Sequence, residues 1–404
     1  MRVFFPLIFS MIAILLAGLV EIGLLFLLNR PWWAKKTIRT ASWSLPLFGM
    51  AMVLLWGVGE YYTKDWLAYP GAILAVVTFV SEVALMVSLP LSGAIHFFHW
   101  LVDKFTHPDE TRDTSPKNAE RRAVLKAVAA GLPVATLSMG VFGVGRAFGL
   151  AAVDLKPITF SSLPQGLRGL RILHLTDAHL RHWVTLDHLE AVLTDAEPLS
   201  PDLVVVTGDL ADEIGLLGNA LAMINALGPR LGVYACLGNH EYFRGIHRAR
   251  DTFERSPVRL LVNEGTTIAA GGHTVFLAGI DDPRSISGVS GSFFTQCVDA
   301  AFAESTPHDF SLLLSHRPDA FSYAAQVGVD LTLSGHTHGG QIGIRGRSLF
   351  EPLWPENYLW GHYRKNDRHL YTSSGVGHWF PFRLGCPPEA PVIELRAAHP
   401  SDQA

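Results

Sequence analysis

Carboxylate, imidazole and carboxamide side chains recur in short clusters after residue 150: Asp177-Ala178-His179, Gly208-Asp209, Gly238-Asn239-His240-Glu241, His316 and Gly335-His336-Thr337-His338-Gly339-Gly340-Gln341. Oxygen and nitrogen donors of these kinds suit hard or borderline divalent ions such as Mn, Zn or Fe, and no thiolate is needed. On an extended Asp-x-His segment the period of two sends both side chains to one face. Asp177 and His179 are therefore expected to converge, and so are His336 and His338. Asp209 stands alone at the end of the most hydrophobic strand and can bridge two ions through its two carboxylate oxygens. Two ions about 3.5–4 Å apart clamp a phosphoryl group, lower the pKa of a bridging water and stabilise the attacking and leaving oxygens. Gly208, Gly238, Gly335 and Gly339 allow tight turns and close approach of backbone to substrate.

These groups need elements that deliver them to one place. Residues 170–175 read as a strand running into Thr176-Asp177, and a helix is expected at 186–196. Residues 203–206, an unbroken and mostly β-branched run, read as a buried strand ending at Thr207-Gly208-Asp209. A second helix follows at about 216–227. Strands are then expected at 232–237 before Gly238-Asn239, and at 275–278 before Asp281-Asp282. Two more, at 310–314 and 331–333, precede His316 and Gly335-His336. In α/β sheets ligands bind beyond the carboxyl ends of strands, so at least five strand ends would carry donors to one edge. Alternating strands and helices imply a layered α/β architecture with the helices outside.

In order and in kind, the five clusters resemble the calcineurin-like metallophosphoesterase family. That resemblance implies a layered metallophosphoesterase-type β-sandwich flanked by helices. It implies that Asp177, His179, Asp209 and His338 hold one metal ion, and that Asp209, Asn239, His316 and His336 hold the other. His240 would be the general acid that protonates the leaving oxygen or stabilises the transition state. The segments Ala278–Asp282, Gly375-Val376-Gly377 and Arg383–Glu389 further resemble a bacterial membrane-associated YkuE/YaeI-type subgroup. Its members are described as phosphodiesterases, and some relatives cleave the pyrophosphate of a nucleotide-lipid.

The first 150 residues read differently. Only 17% of the chain is charged, against roughly 25% in soluble chains. Four apolar stretches, at about 4–28, 43–58, 72–97 and 123–144, are candidate spans, the first and third clearing the length a helix needs to cross a bilayer. A cleavable signal peptide competes for the first stretch, but further spans follow it. Arg30, Lys35, Lys36 and Arg39 lie between spans one and two; Lys104, Arg112, Lys117, Arg121 and Arg122 lie between spans three and four, with Lys126 at the start of span four. Basic loops stay cytoplasmic. The catalytic domain, 151–404, is then expected outside the cytoplasm, anchored in the cytoplasmic membrane by residues 1–150. Arg121-Arg122 before an Ala-rich run is either a plain positive flank or an internal twin-arginine-like export signal. Glu21 and Glu82 lie within spans, either paired between helices or marking an ion path.

Other residues take plainer readings. His174, His182, His188, His273 and His308 are expected to be structural or exposed, His182 being the best exception. Asp281 and Asp282 either cap a turn or orient a ligating histidine. Cys236 packs in a strand, and three cysteines make no disulfide framework. Trp354, Tyr358, Trp360, Tyr363 and the His378-Trp379-Phe380 group either cover a sheet edge or form a rim at a membrane interface. A net charge of -4 leaves no basic field for nucleic acid, and no His-Glu-x-x-His protease motif occurs. The expected protein is a dinuclear phosphohydrolase acting on a phosphodiester or pyrophosphate, with a phosphorylated small molecule or lipid as substrate. The competing reading is a membrane sensor or transporter with a phosphoesterase-like binding domain.

Overall fold

The computed structural model describes residues 4–106, 116–284, 291–378 and 380–398; Arg112 and Trp379 lie outside them. The chain divides into two compact units, Met1–Gly145 and Arg146–Ala404.

The described residues of the first unit form helices joined by short turns: α1 (Phe4–Leu28), the single turn α2 (Arg30–Trp33), α3 (Lys36–Tyr61), α4 (Asp65–Thr106) and α5 (Pro116–Ala147). Stretches of α1, α3, α4 and α5 are each long and apolar enough to cross a membrane. Phe9, Leu47, Val87 and Phe142 stand exposed on these helices, as side chains facing lipid rather than water would. Close helix crossings rest on glycine: a Cβ on Gly71 would meet the Trp56 backbone nitrogen at 2.5 Å, and one on Gly59 the Ala68 nitrogen at 2.3 Å. The second span is longer than the apolar stretch suggested, because α3 begins at Lys36 and takes in the basic loop residue Arg39. Glu21 and Glu82 are both buried inside this unit.

The second unit carries fourteen described strands. One six-stranded sheet has the order β1 (Leu155–Phe160), β14 (Val392–Ala397), β2 (Arg171–Leu175), β3 (Leu203–Thr207), β4 (Val233–Cys236) and β5 (Arg259–Leu260). The other runs β12 (Gly361–Lys365), β13 (Arg368–Thr372), β9 (Leu331–Ser334), β8 (Phe310–Leu314), β7 (His273–Gly279) and β6 (Glu264–Ala270). A small hairpin joins β10 (Gly343–Ile344) to β11 (Arg347–Ser348). The central strands pair in parallel (β2 with β3, β3 with β4, β7 with β8, β8 with β9), so their carboxyl ends share an edge within each sheet.

Alternation explains the layering. Along β3, Leu203 and Val205 face the other sheet and pack with Leu277, Leu312, Leu331 and Leu333. Val204 and Val206 point the opposite way, against helices α6 (Leu186–Ala196) and α7 (Ile214–Ala226). Helices α9 (Gly291–Phe302) and α10 (Phe321–Val327) cover the outer face of the second sheet. The result is helix, sheet, sheet, helix, and a strand buried on both faces must be apolar at every position. Helix α8 (Asn239–Glu254) starts inside the Gly-Asn-His-Glu cluster and bends at Gly245, whose φ is 142°.

Leu312 lies fully buried between the sheets, so Leu312→Ala is expected to destabilise this unit by about 2–5 kcal/mol. Val327→Ala, on the exposed side of α10, should stay within about 0.5 kcal/mol. Denaturant unfolding of the detergent-solubilised chain measures both, and equal effects would refute the inter-sheet core.

Candidate metal centre

The clusters converge at the carboxyl ends of β2, β3, β4, β8 and β9. Asp177 and His179 follow β2, Asp209 follows β3, Asn239 and His240 open α8 after β4, His316 follows β8, and His336 and His338 follow β9. The convergence is not reached by an extended backbone. Asp177, His179, Asp209, His336 and His338 all have φ between 48° and 69°, the left-handed region that side chains normally avoid. The period-of-two expectation is therefore corrected: tight turns aim these groups. Each such residue costs on the order of 1–3 kcal/mol and persists only where its surroundings hold it.

The surroundings do hold it. The buried Glu241 carboxylate accepts the backbone N–H groups of Asp209 (3.0 Å), Leu210 (3.0 Å) and Gly238 (2.9 Å). Asp209 Oδ1 accepts the His240 N–H at 2.8 Å. Asp177 Oδ2 accepts the Thr176 hydroxyl at 2.7 Å and the His336 N–H at 2.8 Å. Gly208 has φ 84°, and a Cβ there would meet the Gly238 backbone nitrogen at 2.5 Å. A Cβ on Gly238 would in turn meet Asp209 Oδ1 at 2.2 Å.

The side-chain atoms form two groups with Asp209 between them. In the first, His338 Nε2 lies 3.1 Å from His179 Nε2 and 3.5 Å from Asp177 Oδ1, and His179 Nε2 is 3.7 Å from Asp177 Oδ1 and 3.9 Å from Asp209 Oδ2. In the second, His316 Nε2 lies 3.2 Å from Asp209 Oδ2, 3.1 Å from Asn239 Oδ1 and 3.1 Å from His336 Nδ1. Asp177 Oδ1 is buried with no hydrogen-bond partner and faces the imidazoles. An orphaned carboxylate oxygen among imidazole nitrogens is the donor set a divalent cation requires, so these residues fit a metal. His316 Nδ1 donates to the Thr207 carbonyl at 2.8 Å, which leaves its Nε2 lone pair toward the cluster.

Two supports escaped the sequence reading. Asp212 Oδ1 lies 3.2 Å from His179 Nδ1 and 2.5 Å from His240 Nδ1, and its Oδ2 accepts from Arg244 at 2.9 Å. The available signal was a second acid three residues beyond Asp209. Arg383, quoted only for its resemblance, is buried and donates to His338 Nδ1 (3.0 Å) and to the carbonyls of His338, Ser374 and Gly377. A guanidinium only donates, so a cation at His338 Nε2 would displace the proton that this pairing leaves there.

The plainer residues also find places. His174 is buried against the Thr207 hydroxyl at 2.8 Å, His188 caps α6 with Thr185, and His308 bonds the Thr306 carbonyl. His273 lies 3.5 Å from Asp309, and His182 is half-buried in the loop before α6. Asp281 accepts the Tyr242 hydroxyl and the Asp282 N–H; Asp282 accepts the Arg284 N–H and pairs with Arg317. Both aspartates cap their turn, and their hydrogen bonds run to neighbours other than the histidines. Cys236 is buried in β4.

Burial works against charge here, and the neighbours decide the outcome. Burial alone would lower His179, but Asp212 and Asp177 lift it to about 10; Asp209 and Asp177 lift the equally buried His316 to about 10. Burial alone would raise Asp177 and Asp209, yet the imidazoles, His338 first for Asp177 and His316 first for Asp209, hold both low. Burial, reinforced by the His316 charge, pushes His336 down to about 3.

With this geometry in view, the calcineurin-like phosphoesterase family profile matches residues 170–340. The chain belongs to that family, a class of hydrolase. The phosphodiesterase YaeI of Escherichia coli is 30% identical over 232 residues, covering 56% of this chain and 82% of YaeI. YkuE of Bacillus subtilis, named as an uncharacterized metallophosphoesterase, is 28% identical over 295 residues, 70% of this chain and all of YkuE. A Campylobacter jejuni protein of the same description is 30% identical over 238 residues, 58% of this chain; the match spans 61% of that relative's length.

In the metal-free chain the raised His179 and His316 pKa values bind protons more tightly folded than unfolded. Their stabilisation is full below the unfolded value near 6.5 and is lost as pH rises toward about 10. A cation at either Nε2 requires the neutral ring, so affinity for Mn or Zn should rise with pH and binding should release protons. Calorimetric titration of stripped chain in buffers of different ionisation enthalpy measures that release; zero release at pH 7 would refute this electrostatic picture.

Proposed function

We propose that this chain is a membrane-anchored phosphohydrolase with a two-ion metal centre, cleaving a phosphodiester or pyrophosphate, with lipid or nucleotide-lipid phosphates as candidate substrates. The observation that carries the reading is the Asp209 carboxylate shared between two donor groups, Asp177–His179–His338 on one side and Asn239–His316–His336 on the other. Held there, two divalent ions (Mn, Zn or Fe) would supply Lewis-acid polarisation of the phosphoryl group and an acidified water.

The chain's own residues do the rest. His240 is half-buried, unlike the buried Asp177, His179, Asp209, Asn239, His316 and His338, and Asp212 fixes its Nδ1. Its Nε2 is then the atom that passes a proton to the leaving oxygen, and Asp212 supports the positive ring before that transfer. Asp212 also meets Nδ1 of His179, so one carboxylate orients a ligand and the acid together. Four apolar helices associate the chain with a membrane. The basic residues clustered within 30–39 and 104–126 support a catalytic unit outside the cytoplasm. A C-terminal reporter that is active only in the cytoplasm would sink that orientation.

The detergent-solubilised full chain, stripped and then given Mn, Zn or Mg, is expected to hydrolyse bis-p-nitrophenyl phosphate. Asp209→Asn should abolish turnover and lower bound metal. His240→Asn should cut kcat by about 10²–10⁴-fold for a poor alkoxide leaving group, and less for p-nitrophenolate, with metal content unchanged. Metal loss in His240→Asn, or an equal loss with both leaving groups, would remove the acid role.

A further inference from the structure

The chain just past His338 presents an apolar surface to solvent. Ile344 is 63% exposed, Leu349 53%, Leu353 68% and Trp354 52%. All four lie on the β10–β11 hairpin and the turns that follow it. Exposed Arg345 sits at the hairpin tip beside Ile344, and Arg347 pairs with Glu351 at 3.5 Å. Exposed Glu356 lies at the far end of the segment.

The described members of the aromatic group expected either to cover a sheet edge or to form a rim differ in exposure. Trp360 is buried and donates to Glu389 at 3.1 Å; Tyr358 packs its ring between Phe321 and Tyr363. Trp354 faces out. The exposure does not come from a loose root: Gly343 N–H donates to the Leu384 carbonyl and Leu349 N–H to the Ile342 carbonyl, both at 2.9 Å. A Cβ on Gly340, two residues after His338, would meet the Phe350 ring at 2.9 Å. The hairpin is thus seated, and its apolar side chains are held outward.

We propose that this hairpin inserts Ile344, Leu349, Leu353 and Trp354 into the headgroup–acyl boundary of a lipid bilayer, bringing the edge that carries His338 to phosphate esters of the lipid headgroup region. A second copy or a protein groove would also bury leucines. A bilayer is favoured because Trp and Arg beside aliphatic side chains match the interface, where an indole and a guanidinium reach the headgroups while the aliphatics sink below them. The four apolar helices of the same chain keep a bilayer tethered to this unit, so even weak insertion is enforced by proximity. The proposal does not rest on the metal reading, because insertion needs no turnover.

The test uses full chain in lipid nanodiscs with one fluorophore at Leu353→Cys, Ile344→Cys or, as the exposed control, Glu304→Cys. The native Cys236, Cys297 and Cys386 are all buried. Doxyl-labelled lipids are expected to quench the label at positions 353 and 344 but not at 304, and adding Leu353→Asp should remove the quenching at 344. Full accessibility of the 353 and 344 labels to a water-soluble quencher, with none from the doxyl lipids, would overturn the proposal. So would a signal that follows protein concentration and ignores the doxyl lipids, which would point to a second copy.

Discussion

Glu241 is the residue on which the site depends. One buried carboxylate accepts three backbone N–H groups, two from the turn after β3 and one from the start of α8. Without those bonds Asp209, at φ 52°, would be a strained residue on an untethered turn. With them, the two turns are locked edge to edge, and the Asp209 side chain is aimed by the His240 N–H. Burial first, then the Asp209 charge, keeps the Glu241 carboxyl above its ordinary range even as the Asp209 and Gly238 N–H donors pull it down. The fold thus spends one buried acid to position another, a bargain that only a charge-demanding site explains.

The same logic accounts for the pairing of like with like. Two imidazole–imidazole contacts at 3.1 Å, His179 with His338 (rings stacked) and His316 with His336, would be poor packing in an ordinary core. They occur where rigid, parallel strands end together, and the outer nitrogens are tied to Asp212, Thr207 and Arg383. Those outer ties decide which nitrogen turns inward, so the geometry of the centre is set one layer behind it.

How far the sequence could be read follows from which interactions are local. The run at 203–206 announced a strand because both faces of β3 are buried, and α6 announced itself through its 3.6-residue spacing of Leu189, Val192, Leu193 and Ala196. The candidate ligands were legible because Asp, Asn and His rarely follow apolar runs without reason. The sheet order was not: β14 slots between β1 and β2, pairing with β2 antiparallel across more than 200 residues of sequence, and no local pattern encodes that. Nor were the left-handed turns: Asp and His are enriched there among non-glycine residues, yet adopt positive φ in only a small minority of cases, so their presence does not announce one. Asp212 was overlooked because its partners, His179 and His240, lie about thirty residues away on either side.

The segment after residue 340 lies beyond the family profile, yet the site cannot be built without it. Gly377 N–H donates to the Asp177 carbonyl and Val376 N–H to the Thr176 carbonyl. Arg383 then ties the Ser374 and Gly377 carbonyls to His338. Glu389 binds Trp360 Nε1, the Tyr371 hydroxyl and the Ser374 N–H. A buried guanidinium facing carbonyls and an imidazole is stable only if those carbonyls are held, since a cation left unpaired in the interior is costly. Glu389 and the β14 pairing hold them. The candidate ligands follow strand ends within the span that the family profile matches, while the last sixty-odd residues close the loop around His338 and so fix both the edge of the site and the hairpin rooted beside it.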